Sequence, residues 1–203
     1  MSANEVSGCS TIEQYTRQMF DHISALLLIR AGERHIPPLS STSDTGTLST
    51  EGRAQCVRLT ENRHFAALKK KVVIVITPGN ACAVESAQVL FRPQNATVLY
   101  ATVASLWPFG GLSTGPLAFT DDMIHSALRG IGDVAMQYEG VGIAIVTQMC
   151  GEPGAGPEIA CAIYRALGFH NAADRLAEKG VRHGQAVLIS RDKDNRTQCE
   201  LIG

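Results

Sequence analysis

The segment LLLIRAGERH places a guanidinium at the end of an apolar run: Arg30 first, then Glu33 and Arg34 within the next four residues. Arginine presents a planar fork of five donors that matches phosphate or carboxylate. Three uses of Arg30 stay open: anion binding, satisfaction of loop carbonyls, or an internal ion pair with Glu33 that fills the same space. Cys82 and Cys150 each follow another short apolar run. A thiol activated by a histidine or a helix N-terminus supports acyl or thioester chemistry, whereas an unactivated one packs as a small apolar residue. The segment QMCGEPGAGPEIA begins at Gln148 and is rich in glycine and proline ahead of a helical pattern. Such a turn can offer backbone N–H groups to an anion; Glu152 inside it competes for the same donors. Trp107, two residues before Phe109, suits either stacking on a ligand or anchoring a loop. His35 lies just beyond the arginine cluster, while His22, His64, His125, His170 and His183 fall on expected helices or turns and read as surface or interhelical. The six cysteines are widely separated with no Cys-x-x-Cys pair, so neither a metal site nor a cofactor is implied.

These residues need a scaffold, and the apolar pattern describes one. Residues 11–24 place Ile12, Tyr15, Met19, Phe20 and Ile23 at three- and four-residue spacings, an amphipathic helix. Five apolar runs follow at 25–29, 72–76, 97–103, 142–147 and 186–190, too short for helices and expected as strands buried on both faces. Helical spacing returns at 51–69, 81–91, 121–138, 157–168 and 171–179, and residues 197–202 offer an edge strand. Alternating strands and helices predict a three-layer α/β sandwich, a mainly parallel central sheet with helices on both faces. In such sheets ligands bind beyond the carboxyl ends of the strands, which is where Arg30, Cys82 and Gln148 fall. The Ser/Thr/Pro-rich stretch 35–50 is long for a connection without structure, a length usually associated with function or motion.

Taken together, LLLIRAGERH and LSTEGRAQC resemble the histidine-phosphatase signature L-x-x-x-R-H-G-E followed by L-T-x-x-G-x-x-Q-A. In the same order, ITPGNACAVESA resembles the family's T-S-P-L-x-R-A-x-Q-T-A, GIAIVTQMC its V-V-T-H-G strand end, and HGQAVLI its late G-s-v-x-v-L strand. The resemblance runs from residue 25 almost to the end and implies the phosphoglycerate-mutase-like fold. It also implies a pocket in which a histidine nucleophile takes up a phosphoryl group, two arginines and a second histidine neutralise its oxygens, and a carboxylic acid protonates the leaving group. Carried over residue by residue, the first arginine is kept as Arg30. The nucleophile position holds Ala31, the second arginine falls on Cys82, the second histidine on Gln148, and the acid on Leu106. Alanine cannot be phosphorylated, and a catalytic unit that has lost its central group gains little from the remainder. The resemblance therefore implies a catalytically degenerate member: a binding or regulatory domain for a phosphorylated or other anionic ligand. New chemistry in the old pocket and a purely structural subunit are the alternatives.

The chain as a whole sets outer bounds. Its 203 residues, 45% hydrophobic, suffice for one core. The 18 basic against 19 acidic residues give no field that would draw nucleic acid or an anionic membrane. No apolar stretch approaches the roughly 20 residues of a membrane span, the N-terminus carries no signal-peptide pattern, and a cytoplasmic protein with reduced thiols is expected. The domain reading is an N-terminal helical extension, 1–24, ahead of a single α/β domain, 25–203. The apolar face of that helix (Tyr15, Met19, Phe20) is expected to dock on a protein partner or on a second copy as a homodimer.

Overall fold

The computed structural model describes residues 11–35, 46–91, 98–106, 121–147, 158–191, 194 and 196–203. The chain enters through α1 (Thr11–His22) and passes directly into β1 (Ile23–Arg30). Every residue of β1 except Ser24 is buried, as a strand with neighbours on both edges and helices on both faces requires. A two-residue ladder follows, β2 (Arg34–His35) antiparallel to β3 (Thr47–Leu48), then α2 (Thr50–Glu61), α3 (Arg63–Lys69), β4 (Val72–Thr77), α4 (Ala81–Phe91) and β5 (Leu99–Thr102). Beyond a 3-10 turn at Ala104–Leu106 come α5 (Asp121–Ala135), β6 (Val141–Thr147), α6 (Glu158–Ala166), α7 (His170–Lys179), β7 (Ala186–Arg191) and β8 (Thr197–Ile202).

The sheet has six strands in the order β5-β4-β6-β1-β7-β8. Strands β5, β4, β6 and β1 are parallel; β7 pairs antiparallel with β1, and β8 antiparallel with β7. Alternation along the strands divides the core. Leu26, Leu28, Ile74, Ile76, Ile143 and Ile145 face α1, α5, α6 and α7, while Leu27, Ile29, Val75, Ala144 and Val146 face α2, α3 and α4. This is the expected three-layer α/β sandwich with a mainly parallel sheet. Each fully buried leucine or isoleucine stabilises it by about 1.5–3 kcal/mol.

Four local readings are corrected. The apolar run at 97–103 is not buried on both faces: β5 is an edge strand, with Leu99 41% and Tyr100 51% exposed. The helical segment 51–69 is two helices. Asn62 leaves the helical region at φ −63°, ψ 119°, and its side-chain oxygen accepts from the N–H groups of His64 and Phe65 at 2.9 and 3.1 Å, starting α3 afresh. The stretch 35–50 carries the β2/β3 ladder at its two ends. Finally, the α1 side chains expected to dock on a partner are covered by the chain itself: Met19 and Phe20 are each 2% exposed inside the core cluster shared with α5 and α6. Tyr15 is half-buried with the Arg129 guanidinium 5.7 Å above its ring.

Candidate functional site

The carboxyl ends of β1, β4 and β6 meet at one side of the sheet, and the loop that precedes β7 comes to the same place because β7 runs the opposite way. Arg30, the last residue of β1, is held there by its backbone. Its N–H donates to the Gln185 carbonyl at 3.0 Å and its carbonyl accepts from Gly184 N–H at 3.0 Å. Ala31 N–H then donates to the Thr147 carbonyl at 2.9 Å, tying the segment to the end of β6. Gly184 sits at φ +72°, and a Cβ there would lie 2.8 Å from the Gln55 carbonyl, so only glycine serves.

The Arg30 side chain is buried, with 5% of the residue exposed. Its Nη1 donates to the Val181 carbonyl at 2.7 Å, and its Nη2 lies 3.2 Å from His183 Nε2. The other ring nitrogen, Nδ1, is 2.8 Å from the Ala31 carbonyl. A buried guanidinium must be compensated by hydrogen bonds, and here carbonyl and imidazole from the 181–183 loop contribute to that. Of the three uses open to Arg30 in the sequence, satisfaction of a loop carbonyl is realised, and the Glu33 ion pair is not. Glu33 is exposed; its backbone N–H donates to Gln55 Oε1 at 2.9 Å, and its carbonyl accepts from Ser49 N–H at 2.9 Å. Arg34 lies on β2 opposite Leu48, half-buried, its aliphatic stem against Gly46. His35, exposed, ends that strand.

Of the four positions matched in sequence to the family's catalytic motif, the three described are all buried. Ala31 is fully buried in the apolar cluster that includes Cys56 and Ala83. Cys82, in the first turn of α4, is 1% exposed, and its Sγ donates to the Gly32 carbonyl at 3.3 Å. Leu106, matched in sequence to the acid, is fully buried in the opposite cluster, its carbonyl 3.4 Å from the Thr147 hydroxyl that donates to it. Gln148 lies outside the described residues, as do Trp107, Cys150 and Glu152. Cys56 is a further thiol in this region; burial pushes it above the ordinary range, so it stays protonated at neutral pH and is a poor nucleophile. Among the described residues no group of histidine, cysteine or carboxylate side chains is arranged to hold a metal ion. A cavity of about 390 Å³ lies between α4 and β5, lined by Thr77, Val84, Gln88, Tyr100, Ala101 and Thr102. It opens beside β4, separated from β1 by β6, and Arg30 is not among its walls.

The motif residues that are kept build the loop after β1. Gly32 and Gly52 cross backbone to backbone. A Cβ on Gly32 would overlap the Gly52 carbonyl and stand 2.7 Å from Leu48 Cδ1; a Cβ on Gly52 would overlap the Glu33 carbonyl and stand 2.7 Å from its nitrogen. Ser49 caps α2 by accepting from Gly52 N–H at 2.9 Å. Ser86 Oγ accepts from Gly32 N–H at 3.1 Å, and Glu85 Oε2 accepts from Leu48 N–H at 2.8 Å. Gln55 completes the set through Glu33. The residues that sequence reasoning missed are these scaffold partners and His183. The signal for His183 was available: it stands three residues before a strand that pairs antiparallel with β1, which puts it at β1's carboxyl end.

The same fold occurs in solved structures of the histidine-phosphatase superfamily. Bacillus stearothermophilus YhfR is 16% identical with a TM-score of 0.59, over 86% of this chain and 94% of that one. A mycobacterial glucosyl-3-phosphoglycerate phosphatase is 16% identical with a TM-score of 0.56, over 88% and 98%. The protein histidine phosphatase SixA complexed with tungstate is 10% identical with a TM-score of 0.50, over 88% and 96%. At these identities the likeness establishes the fold. No family model matches the chain, and no curated protein matches it.

Proposed function

We propose that this chain is a catalytically degenerate histidine-phosphatase-like protein, a binding or regulatory domain whose ligand is a small phosphorylated or otherwise anionic molecule. The observation that carries the reading is the combination of Ala31, fully buried at the nucleophile position, with apolar packing at Leu106 and Cys82 where an acid and a second cation are expected. Phosphoryl transfer through histidine needs a nucleophile, cations on the equatorial oxygens and a proton donor. Only Arg30 of the described positions retains its part. A neighbour of the same fold was solved with tungstate, a tetrahedral oxyanion, and Arg30 is the group through which such an anion would be held here.

Repurposed chemistry is the weaker reading. Cys82 is engaged with the Gly32 carbonyl and Cys56 is held as a thiol, so neither is poised as a nucleophile. The purified full chain should show no hydrolysis of p-nitrophenyl phosphate above the buffer rate. Turnover that disappears in Arg30→Ala would overturn the proposal.

A further inference from the structure

Residues four apart on a helix share one face, and alternate residues of a strand share one face of the sheet. On α4 that groups Val84 with Gln88, and on β5 it groups Tyr100 with Thr102. Thr102 is the register partner of Thr77, the last residue of β4. These five residues, with Ala101, line the cavity of about 390 Å³ between α4 and β5. Its volume is that of a small-molecule pocket, and it opens at the carboxyl ends of two parallel strands, where such sheets hold their ligands.

The walls are uncharged throughout. Thr77 is 4% exposed, and its hydroxyl accepts from Gly79 N–H at 3.3 Å, which leaves its own proton to donate. The half-buried Gln88 carboxamide makes no hydrogen bond among the described residues, and neither does the Thr102 hydroxyl. Val84 and Ala101 add apolar surface, and Tyr100 adds an aromatic wall.

We propose that this cleft binds a neutral, planar heterocycle of the nucleobase type, held at its edge by Gln88 and the two threonines. The carboxamide is the one wall group with a donor and an acceptor side by side, and it matches a ring edge that carries the same two in reverse order, as adenine does. A helix on one side and a strand on the other admit a flat ring, and Val84 and Ala101 give its faces apolar contact. An anion has no place here: with no lysine, arginine or histidine in the walls, a phosphate or carboxylate would give up its hydration without compensation. The cleft therefore differs in chemistry from the surroundings of Arg30, from which β6 separates it, and it does not depend on how that pocket is read.

Adenosine is the suitable probe, because it carries the heterocycle without a phosphate. In nitrogen-15 amide spectra of the full chain it should bind with a dissociation constant below about 1 mM. The signals that move most should be those of residues 77, 84–88 and 99–103. Gln88→Leu should weaken binding about tenfold through loss of the matched edge, and Val84→Trp, which fills the cleft, should abolish it. Both positions are partly exposed, and amide spectra that otherwise overlay on the parent's identify folded variants. Benzoate, as flat but charged, should not bind in the cleft. The proposal is overturned by no adenosine binding up to about 10 mM, by shifts centred on another part of the chain, by benzoate binding of equal strength, or by a Gln88→Leu chain that binds adenosine as the parent does. None of these outcomes involves turnover or Arg30, so the cleft can fail while the non-catalytic reading stands, and the reverse.

Discussion

The same substitution, glycine to alanine, should act with opposite signs at two positions of this fold. At Gly52 the added methyl would overlap the Glu33 carbonyl and stand 2.7 Å from Glu33 nitrogen and 2.8 Å from Leu48 Cδ1. Two of those atoms are backbone, and the Glu33 segment is fixed by Gln55 and by Ser49, so relief requires a shift of about 1 Å in the whole crossing. Overpacking of this kind costs about 1–3 kcal/mol, with rigid surroundings at the upper end. For a domain of this length that is a fall in melting temperature of about 6–12 °C. Gly132 lies inside α5, where a Cβ would meet only Tyr15 Cδ1 at 3.8 Å, ordinary contact. There alanine removes backbone freedom from the unfolded chain and should raise stability by about 0.5–1 kcal/mol, or about 2 °C. Gly32→Ala should resemble Gly52→Ala, and the double variant should lose less than the sum, because the first methyl already parts the crossing that the second would clash with. The assay is thermal unfolding followed by circular dichroism. A Gly52→Ala chain that melts within about 1 °C of the parent, or strict additivity with Gly32→Ala, would refute the argument that the retained motif glycines are there for this contact.

Three further expectations concern other parts of the molecule. Ala31→His should not restore phosphatase activity towards p-nitrophenyl phosphate, since Cys82 and Leu106 remain, and should destabilise a fully buried position by about 1–3 kcal/mol; measurable turnover above the parent would contradict it. Asn62→Ala removes the acceptor for two N–H groups at the start of α3 and should cost about 1 kcal/mol in a urea unfolding curve. The Cys199 thiol, half-buried beside Tyr164, is raised by burial from 9.0 to about 11. Its folded state thus holds a proton that the unfolded chain releases, so the contribution is intact below about pH 9 and is lost as pH rises towards about 11. The melting temperature should fall over that interval, and the fall should shrink in Cys199→Ala.

Much of the fold was legible because burial is written as pattern. The runs LLLI, VVIVI and IAIV announce strands covered on both faces, and the intervening three- and four-residue spacings announce the helices. Edges were less legible. TVLYATV has the composition of a central strand, yet Leu99 and Tyr100 are exposed, since composition does not say which strand ends the sheet. Asn62 is a polar residue in a helical stretch until the two N–H groups it accepts are seen. At the site, the positions that match the family's catalytic motif could be named from motif spacing alone. The role of Arg30 could not, because its partners at Val181 and His183 lie more than 150 residues away in sequence and local pattern carries no information over that distance. Glu33 illustrates the same limit: adjacency suggested a pair with Arg30, while Glu33 is exposed and holds the loop with its main chain.

The strand order has a consequence for the chain as it leaves the ribosome. β1 is the most completely buried strand, yet its neighbours in the sheet are β6 and β7, which begin only at Val141 and Ala186. Until those residues emerge, the run ALLLI has no strand to pair with on either edge. Non-local pairing of this kind is slow to form and leaves apolar edges open to misassociation. The nascent polypeptide is therefore most in need of a chaperone between the synthesis of β1 and that of β6. The turn before β7, which holds Val181 and His183 against Arg30, is made only after all four parallel strands of the sheet.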